Sequence, residues 1–281
     1  MNMGNFTELL KSQWNKERFL CVGLDSDFAK LPEELQKLPV TEALFRFNRA
    51  IVEATADYCC AFKPNIAFYE GYGLAGMEAL IKTNGFIREK YSEHLIILDA
   101  KRADIGNTNL GYVKAAFEIY QAHAITVHPY LGREALLPFL EDQNHGVFVL
   151  CHTSNPGAAE FQELKINNQD LYKIIATRVS QEWNHNQNCG LVMGATYPEQ
   201  MAEVRKLAGG LPFLIPGIGA QGGDLEQTVV NGLNQNGNGI IINVSRSIIY
   251  ASSGPDFIRA AEREASLLNQ AIQKIVRESK A

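Results

Sequence analysis

The 281-residue sequence lacks the features that would place it in a membrane, outside the cell or on nucleic acid. No uncharged apolar run approaches the roughly 18 residues that a membrane-spanning helix needs. Residues 1–19 have polar residues throughout and a helical spacing of apolar residues, unlike a signal peptide. The net charge is −5, whereas nucleic-acid binding usually requires a basic patch. These absences predict a soluble, cytoplasmic protein without membrane or nucleic-acid partners, in which any phosphate recognition is local.

Several catalytic and metal-binding motifs are also missing. The five cysteines, at positions 21, 59, 60, 151 and 189, show no CxxC spacing and lie in or beside apolar runs, which predicts buried reduced thiols. The six histidines form no HExxH or HxH pattern, and the carboxylates do not cluster like metal ligands, so we expect no metal. Neither a GxSxG elbow nor a Walker loop is present.

Short apolar runs recur along the whole chain and are typical of parallel strands covered on both faces. They lie at residues 19–24, 59–62, 94–98, 124–127, 147–151, 190–194, 212–215 and 239–244. Segments with helical spacing, such as residues 43–56 and 108–121, separate them. This alternation predicts one (β/α)8 TIM barrel domain over residues 1–281, with an N-terminal helix. A doubly wound open sheet is the alternative, and residues 154–165 look like a mobile polar loop.

The sharpest chemical signal is residues 94–108, HLIILDAKRADIGNT, where an apolar strand runs into Asp99, Lys101 and Asp104. Asp99 and Lys101 are two positions apart, so they share one side of the strand, while Leu98 and Ala100 face the helices. A solvated loop is the ordinary interpretation of such a charge run. The strand register favours a site at the barrel mouth, where alternating acid and base suggest proton chemistry.

Two more charged residues end predicted strands. Lys63 closes CCAFKP, and Asp25 closes CVGLD. A lysine at a strand end usually reaches towards water, and an aspartate there is usually a cap or turn residue. Neither residue alone is strong evidence of a site. Together with Asp99, however, they place charge at the ends of the first three strands, on the same face of the barrel.

Polar residues after later strands favour binding of a phosphate and a heterocycle. Residues 216–224 (PGIGAQGGD) and 243–247 (NVSRS) follow the last two strands, where barrels usually bind phosphate. Arg246 can form paired hydrogen bonds with a phosphate, although a surface ion pair is the alternative. The GxGxxG match within residues 217–222 does not follow the first strand, which argues against a dinucleotide fold. Ser154 and its neighbours suit a heterocyclic edge or a plain loop equally.

The segment LDAKRADIGNT resembles the signature of orotidine 5′-phosphate decarboxylases, in the form found in their longer bacterial subgroup. The resemblance continues in order through GLDSD, FKPNIAFYE, HPYLG, TSNPGA, PGIGAQGGD and SRSIIYA, and so covers nearly the whole chain. It implies a cofactor-free carboxy-lyase that converts orotidine 5′-monophosphate to uridine 5′-monophosphate (UMP), the last step of de novo UMP biosynthesis.

The resemblance also implies a role for individual residues and a homodimer. Lys101 would protonate C6 of the pyrimidine, and Asp104 and Thr108 would be contributed to the partner's site. His152 stands where an aliphatic residue or Arg is expected, and Ala103 fills the variable position of the signature. The implied catalytic array is Lys63, Asp99, Lys101 and Asp104, and the implied substrate contacts are Asp25 to the ribose, Thr108, Ser154 to the pyrimidine, and Gln221 and Arg246 to the phosphate.

Two other functions compete with this interpretation. A related barrel decarboxylase of keto-sugar phosphates uses magnesium and needs a carboxylate at the end of the second strand, where this chain has Lys63. A catalytically silent sensor of nucleotide monophosphates would keep Gln221 and Arg246 but would not need the charged array.

Overall fold

The computed structural model describes residues 5–219 and 222–280, and parallel strands in this part of the chain close into a barrel. Each barrel strand pairs with its neighbours in the sequence, and the first pairs with the last. Closure confirms the predicted barrel and excludes the open sheet. The strands are β1 Leu20–Gly23, β2 Ala61–Lys63, β3 Leu95–Arg102, β4 Ala124–Val127, β5 Gly146–His152, β6 Cys189–Met193, β7 Phe213–Pro216 and β8 Ile240–Val244.

Helices connect the strands and cover the outside of the barrel. Among the described residues, none is both long and apolar enough to cross a membrane. They are α1 Phe6–Asn15, α2 Glu33–Gln36, α3 Val40–Thr55, α4 Ala67–Glu70, α5 Gly73–Lys90, α6 Gly106–Lys114, α7 Gly132–Leu140, α8 Ala158–Gln162, α9 Leu171–Arg178, α10 Pro198–Ala208, α11 Leu225–Gly232, α12 Arg246–Ile249 and α13 Phe257–Glu278.

The segment after β5 is more ordered than the sequence suggested. Residues 154–165, expected as a mobile loop, contain α8 and lead into a short antiparallel strand pair, Lys165–Ile166 with Gln169–Asp170. This segment has too few apolar residues to show a helical periodicity, so the sequence did not predict the helix.

The apolar residues form two cores, one inside the barrel and one between the barrel and its helices. Leu98 and Ala100 belong to the outer core, as the strand register predicted, whereas Ile97 belongs to the inner one. The strands are therefore buried on both faces, which explains their uninterrupted apolar sequences.

The first helix, α1, closes the amino-terminal end of the barrel. Phe6 packs edge-to-face on Phe148 of β5, with ring centroids 5.6 Å apart. Trp14 donates its indole N–H to the carbonyl of Ile240 at 2.9 Å. A side chain at Gly146 would collide with the Phe6 ring. This end is filled by apolar packing, which leaves the carboxyl ends of the strands for a site.

The five cysteines are buried and free, as predicted. Burial raises the pKa of each thiol, that of Cys189 to about 12. Thiolates react and thiols do not, so these cysteines are packing residues.

Candidate active site

A cavity of about 510 Å³ opens at the carboxyl ends of the barrel strands. Asp104 and Thr108 do not line it. Gln221 lies outside the described residues. The predicted site residues that the structure brings together around this cavity are Asp25, Lys63, Asp99, Lys101, Ser154 and Arg246.

Two lysines hold one carboxylate between them in this cavity. Lys63 at the end of β2 donates to Asp99 Oδ2 at 2.8 Å, and Lys101 donates to Asp99 Oδ1 at 2.6 Å. We call these three residues the charged cluster. The Lys63 and Asp99 side chains are 4% and 12% exposed, whereas that of Lys101 is 49% exposed. The lysine facing the open cavity is therefore Lys101.

The charged cluster fixes its own ionisation. Burial alone would raise the pKa of Asp99, but Lys63 and Lys101 lower it well below the ordinary value. Burial alone would lower the pKa of Lys63, but Asp99 and Asp25 together raise it. Opposite charges at hydrogen-bond distance outweigh desolvation here, so both groups are charged at neutral pH.

Simple strand alternation does not account for the position of Lys101. Leu98 pairs with Ile125 but Arg102 pairs with Val127, so β3 uses more residues than β4 over this stretch. Lys101 takes up the difference with a left-handed backbone, φ 48°, which a non-glycine residue rarely adopts. The sequence predicted the correct side of the strand, but missed the irregularity.

Thr126 is a cavity residue that the sequence argument missed. It lies in β4, where a threonine reads as an ordinary strand residue. The only available signal was its place in the strand beside the charge run.

Asp25 follows β1 and lines the cavity beside the charged cluster. Its Oδ1 atom is buried and has no hydrogen-bond partner among the residues that the structure describes. Tyr250 donates to the Asp25 carbonyl at 3.2 Å, which anchors the turn. A buried carboxylate oxygen without a partner suits a donor supplied by a ligand, such as a sugar hydroxyl.

Ser154 is held at the cavity by close packing of two strand ends. A Cβ at Gly194, after β6, would lie 2.5 Å from the Ser154 amide nitrogen, so only glycine permits this approach. Thr196 donates to the Ser154 carbonyl at 3.3 Å. Gly194 was the sequence signal for this contact, but its meaning depends on the fold.

The loop after β7 and the start of α12 form the opposite part of the cavity. Gly217 and Gly219 both have positive φ, of 112° and 82°, so the loop needs glycine at each. Arg246 is exposed and, among residues 5–219 and 222–280, has no carboxylate within ion-pair distance. The alternative interpretation of Arg246 as a surface ion pair finds no support in this part of the chain. We call Ser154, the loop after β7 and Arg246 the loop side.

Asp104 and Thr108 lie beyond β3, away from the cavity of their own chain. Asn109, which is buried, accepts from the Asp104 amide at 2.8 Å and fixes the turn. Thr108 is exposed on α6. Their assignment to a partner's site stays a prediction.

His152 at the end of β5 is fully buried beneath the loop side. Its Nε2 atom lies 3.0 Å from Glu163 at the end of α8, and its ring packs against Tyr172 and Tyr197. Burial lowers the pKa of His152, although Glu163 opposes the shift. This residue links β5 to α8 across the segment that carries Ser154.

Metal ligands are not grouped in the described part of the chain, where no cluster of three or more His, Cys, Asp or Glu could hold an ion. The cavity instead combines a buried ion-pair cluster on one side with glycine-rich backbone and an exposed arginine on the other.

Residues 18–261 match the family described as orotidine 5′-phosphate decarboxylase / HUMPS. The chain is 46% identical to an orotidine 5′-phosphate decarboxylase of Cellvibrio japonicus, over 95% of this chain and 98% of that one. It is similar to the solved OMP decarboxylase of Leishmania donovani, with a TM-score of 0.82 and 37% identity, over 96% and 99% of the two chains. It also matches UMP synthase of Leishmania donovani, with a TM-score of 0.87 and 38% identity, over 97% of this chain but 57% of that one.

Proposed function

The chain belongs to the orotidine 5′-phosphate decarboxylase family and is a carboxy-lyase, and we propose that it converts orotidine 5′-monophosphate to UMP by metal-free electrostatic catalysis. The observation that carries the proposal is the charged cluster, in which Asp99 lies within 2.8 Å of one lysine and 2.6 Å of another inside the cavity. The reaction is the last step of de novo UMP biosynthesis.

Decarboxylation of a pyrimidine at C6 leaves an electron pair on carbon without a covalent electron sink, so fixed charges must stabilise it. We assign this role to Lys101, whose ammonium group faces the cavity. As the bond between C6 and the carboxylate breaks, the electron pair stays on C6 and takes a proton from Lys101 Nζ. The products are carbon dioxide, UMP and a neutral amine, which regains a proton from water.

Asp99 and Lys63 keep Lys101 in place and set the local field. Because the pKa of Asp99 is lowered, a substrate carboxylate beside it meets a negative charge that departure of carbon dioxide relieves. Lys63 is too buried to follow the substrate and acts by holding Asp99.

The position of Lys63 argues against the magnesium-dependent alternative. A carboxylate ligand is needed at the end of β2, but Lys63 places an ammonium there and occupies one oxygen of Asp99. A divalent cation would be repelled at this position. Activity that survives exhaustive chelation is therefore expected.

The phosphate is proposed to bind on the loop side. Arg246 has a guanidinium without a protein partner among the described residues, and the positive φ of Gly217 and Gly219 turns the adjacent loop at the cavity wall. Gln221 is assigned to the same phosphate by the family signature. Binding energy from this remote group can serve orientation and desolvation at the ring. Asp25 is proposed to bind the ribose and Ser154 the pyrimidine edge.

A homodimer is proposed to complete the site with Asp104 and Thr108 of the partner subunit. Exposed apolar side chains follow the turn at Asp104 in the sequence: Ile105, Leu110 and Leu131 are 62%, 55% and 43% exposed. Such a group of exposed apolar residues is typical of an interface. We place the enzyme in the cytoplasm, a reducing compartment that suits its free cysteines.

Kinetics of Lys101→Ala test the central assignment. We expect kcat on orotidine 5′-monophosphate to fall by about 10⁴-fold or more, because proton donation and charge stabilisation are both lost. UMP should still bind, and Lys114→Ala on the exposed end of α6 should be unaffected. A near-normal rate in Lys101→Ala would reject the assignment, and binding of UMP by a wild-type protein without turnover would favour the sensor.

Subunit mixing tests the dimer. Asp104→Ala and Lys101→Ala should each be inactive, yet a mixture of the two should regain activity, because some heterodimers then contain one intact site. Two inactive proteins that stay inactive after mixing and exchange would show that Asp104 does not act across an interface.

A further inference from the structure

The least expected feature of the cavity is the left-handed backbone at the residue proposed to donate the proton. Lys101 has φ 48°. A long side chain in this region costs about 1 to 3 kcal/mol and persists only where the surroundings enforce it. Something must therefore stabilise the backbone at Lys101, and the neighbouring strand supplies it.

Thr126 of β4 uses its whole hydroxyl group at this point. Its Oγ1 atom accepts from the amide of Ala100 at 3.1 Å and from the amide of Lys101 at 3.0 Å. The same hydroxyl donates to Asp99 Oδ1 at 3.0 Å. A threonine hydroxyl has one donor and two acceptor positions, so no capacity is left unused.

The two bonds from backbone amides replace the strand pairing that is interrupted here. Regular pairing between β3 and β4 stops at Leu98 and resumes only at Arg102, which leaves the amides of Ala100 and Lys101 without ordinary strand partners. Buried amides without partners are rare, because each costs about 1 to 3 kcal/mol. Thr126 is 1% exposed and supplies the missing acceptor from within the sheet.

We infer that Thr126 is a positioning residue, which sets both the Lys101 backbone and the Asp99 carboxylate against the reacting carbon. The inference rests on the proposed role of Lys101. One hydroxyl fixes the turn from which the Lys101 side chain departs and also the oxygen that the Lys101 ammonium contacts. A displacement of about 1 Å in such a geometry can cost about 100-fold in rate.

Thr126→Val tests the inference, because valine keeps the shape but removes the hydroxyl. We expect kcat to fall by about 100-fold with little change in the dissociation constant of UMP, since phosphate and ribose contacts lie elsewhere. Thr126→Ser should recover most of the wild-type kcat. Thr126→Ala is the second variant if valine prevents folding, because water from the cavity can then reach the freed amides.

Thr55→Val is the matched control. Thr55 is a buried threonine in α3 whose hydroxyl donates to the Ile51 carbonyl at 2.7 Å, remote from the cavity. This variant should lose stability but keep kcat. A valine or alanine variant at 126 that folds and keeps the wild-type kcat would reject the positioning role. Equal loss of kcat in the serine variant would do so too. If the wild-type protein does not decarboxylate the substrate, the proposed function fails instead, which separates the two outcomes.

Discussion

The two sides of the cavity differ in how far their charges are satisfied before a substrate arrives. In the charged cluster, Lys63 and Lys101 both donate to Asp99, and the Thr126 hydroxyl also donates to this carboxylate. On the loop side, Arg246 has no acidic partner among the described residues. Each member of the cluster already contacts an opposite charge, whereas Arg246 on the loop side needs a ligand to do so.

The difference corresponds to a division of labour. Fixed charges lower a barrier only if they need no reorganisation during the reaction, which requires a rigid, paired cluster. Recognition of a phosphate needs groups that are free until the phosphate binds. Substitutions should therefore affect stability and catalysis on the cluster side, but binding alone on the loop side.

The largest effect is expected from Asp99→Asn. Lys63 would remain 3% exposed without its hydrogen-bonded counter-ion, and breaking a buried pair in this way costs about 3 to 5 kcal/mol. Nearby Asp25 places the expected loss at the lower end of that range. Urea unfolding should show this loss, and kcat should become undetectable because Lys101 loses its anchor.

An exposed ion pair provides the control for this prediction. Glu78 and Lys82 on α5 are 57% and 44% exposed and lie 2.8 Å apart. Glu78→Gln should change the free energy of unfolding by less than about 1 kcal/mol. If Asp99→Asn is equally mild, the charged cluster is not the structural unit that its burial indicates.

The cluster and the loop side were also unequally predictable from the sequence. Lys63 and Asp99 end apolar runs, and because parallel strands end on one face, their convergence followed from the fold alone. The eight strands were equally clear, since each is buried on both faces. These inferences needed only local patterns and one topological rule.

What could not be predicted depends on contacts between distant residues. The left-handed Lys101 follows from the pairing of β3 with β4, and the role of Thr126 follows from that irregularity. The closeness of Gly194 to Ser154 depends on how β6 packs beside β5. α8 was missed because its short sequence has no helical periodicity.

A smaller effect, on phosphate binding and without a loss of stability, is expected from Arg246→Ala. Charge-assisted hydrogen bonds to a phosphate contribute up to about 3 kcal/mol, so kcat/KM should fall by about 100-fold. The free energy of unfolding should change by less than about 0.5 kcal/mol, because Arg246 is exposed. Kinetics with the substrate and with orotidine, which lacks the phosphate, provide the measurement.

The comparison of substrates decides what Arg246 binds. The loss of kcat/KM should be confined to the phosphorylated substrate. Arg263 on α13 is an exposed arginine remote from the cavity, and Arg263→Ala should keep the wild-type kcat/KM on both substrates. Equal losses on both substrates would contradict a phosphate contact and would remove the distinction between the two sides.

The smallest effect concerns the dependence of stability on pH, which we expect from His152 and not from the charged cluster. The pKa of Asp99 is far below this range and that of Lys63 above it, so the cluster keeps its charges. His152 beneath the loop side is different: burial lowers its pKa, although Glu163 and Asp170 raise it in part. As pH falls below about 6.5, the unfolded chain binds this proton before the folded protein does.

The contribution of His152 to stability is therefore complete above about pH 6.5 and is lost as pH falls through its lowered pKa. Between pH 7.5 and 5.5 the loss of unfolding free energy is at most about 1.4 kcal/mol, because pH 5.5 lies about one unit below the pKa of histidine in the unfolded chain. The stability of His152→Leu should depend correspondingly less on pH, measured by urea titration at pH 7.5 and 5.5.

His94 and His123 also have lowered pKa values, that of His123 about 3, but both are present in the wild type and in His152→Leu, so their effects cancel in the difference. If the pH dependence of the free energy of unfolding is unchanged in His152→Leu, His152 is as readily protonated in the folded protein as in the unfolded chain. The loop side would then be as insensitive to pH as the charged cluster.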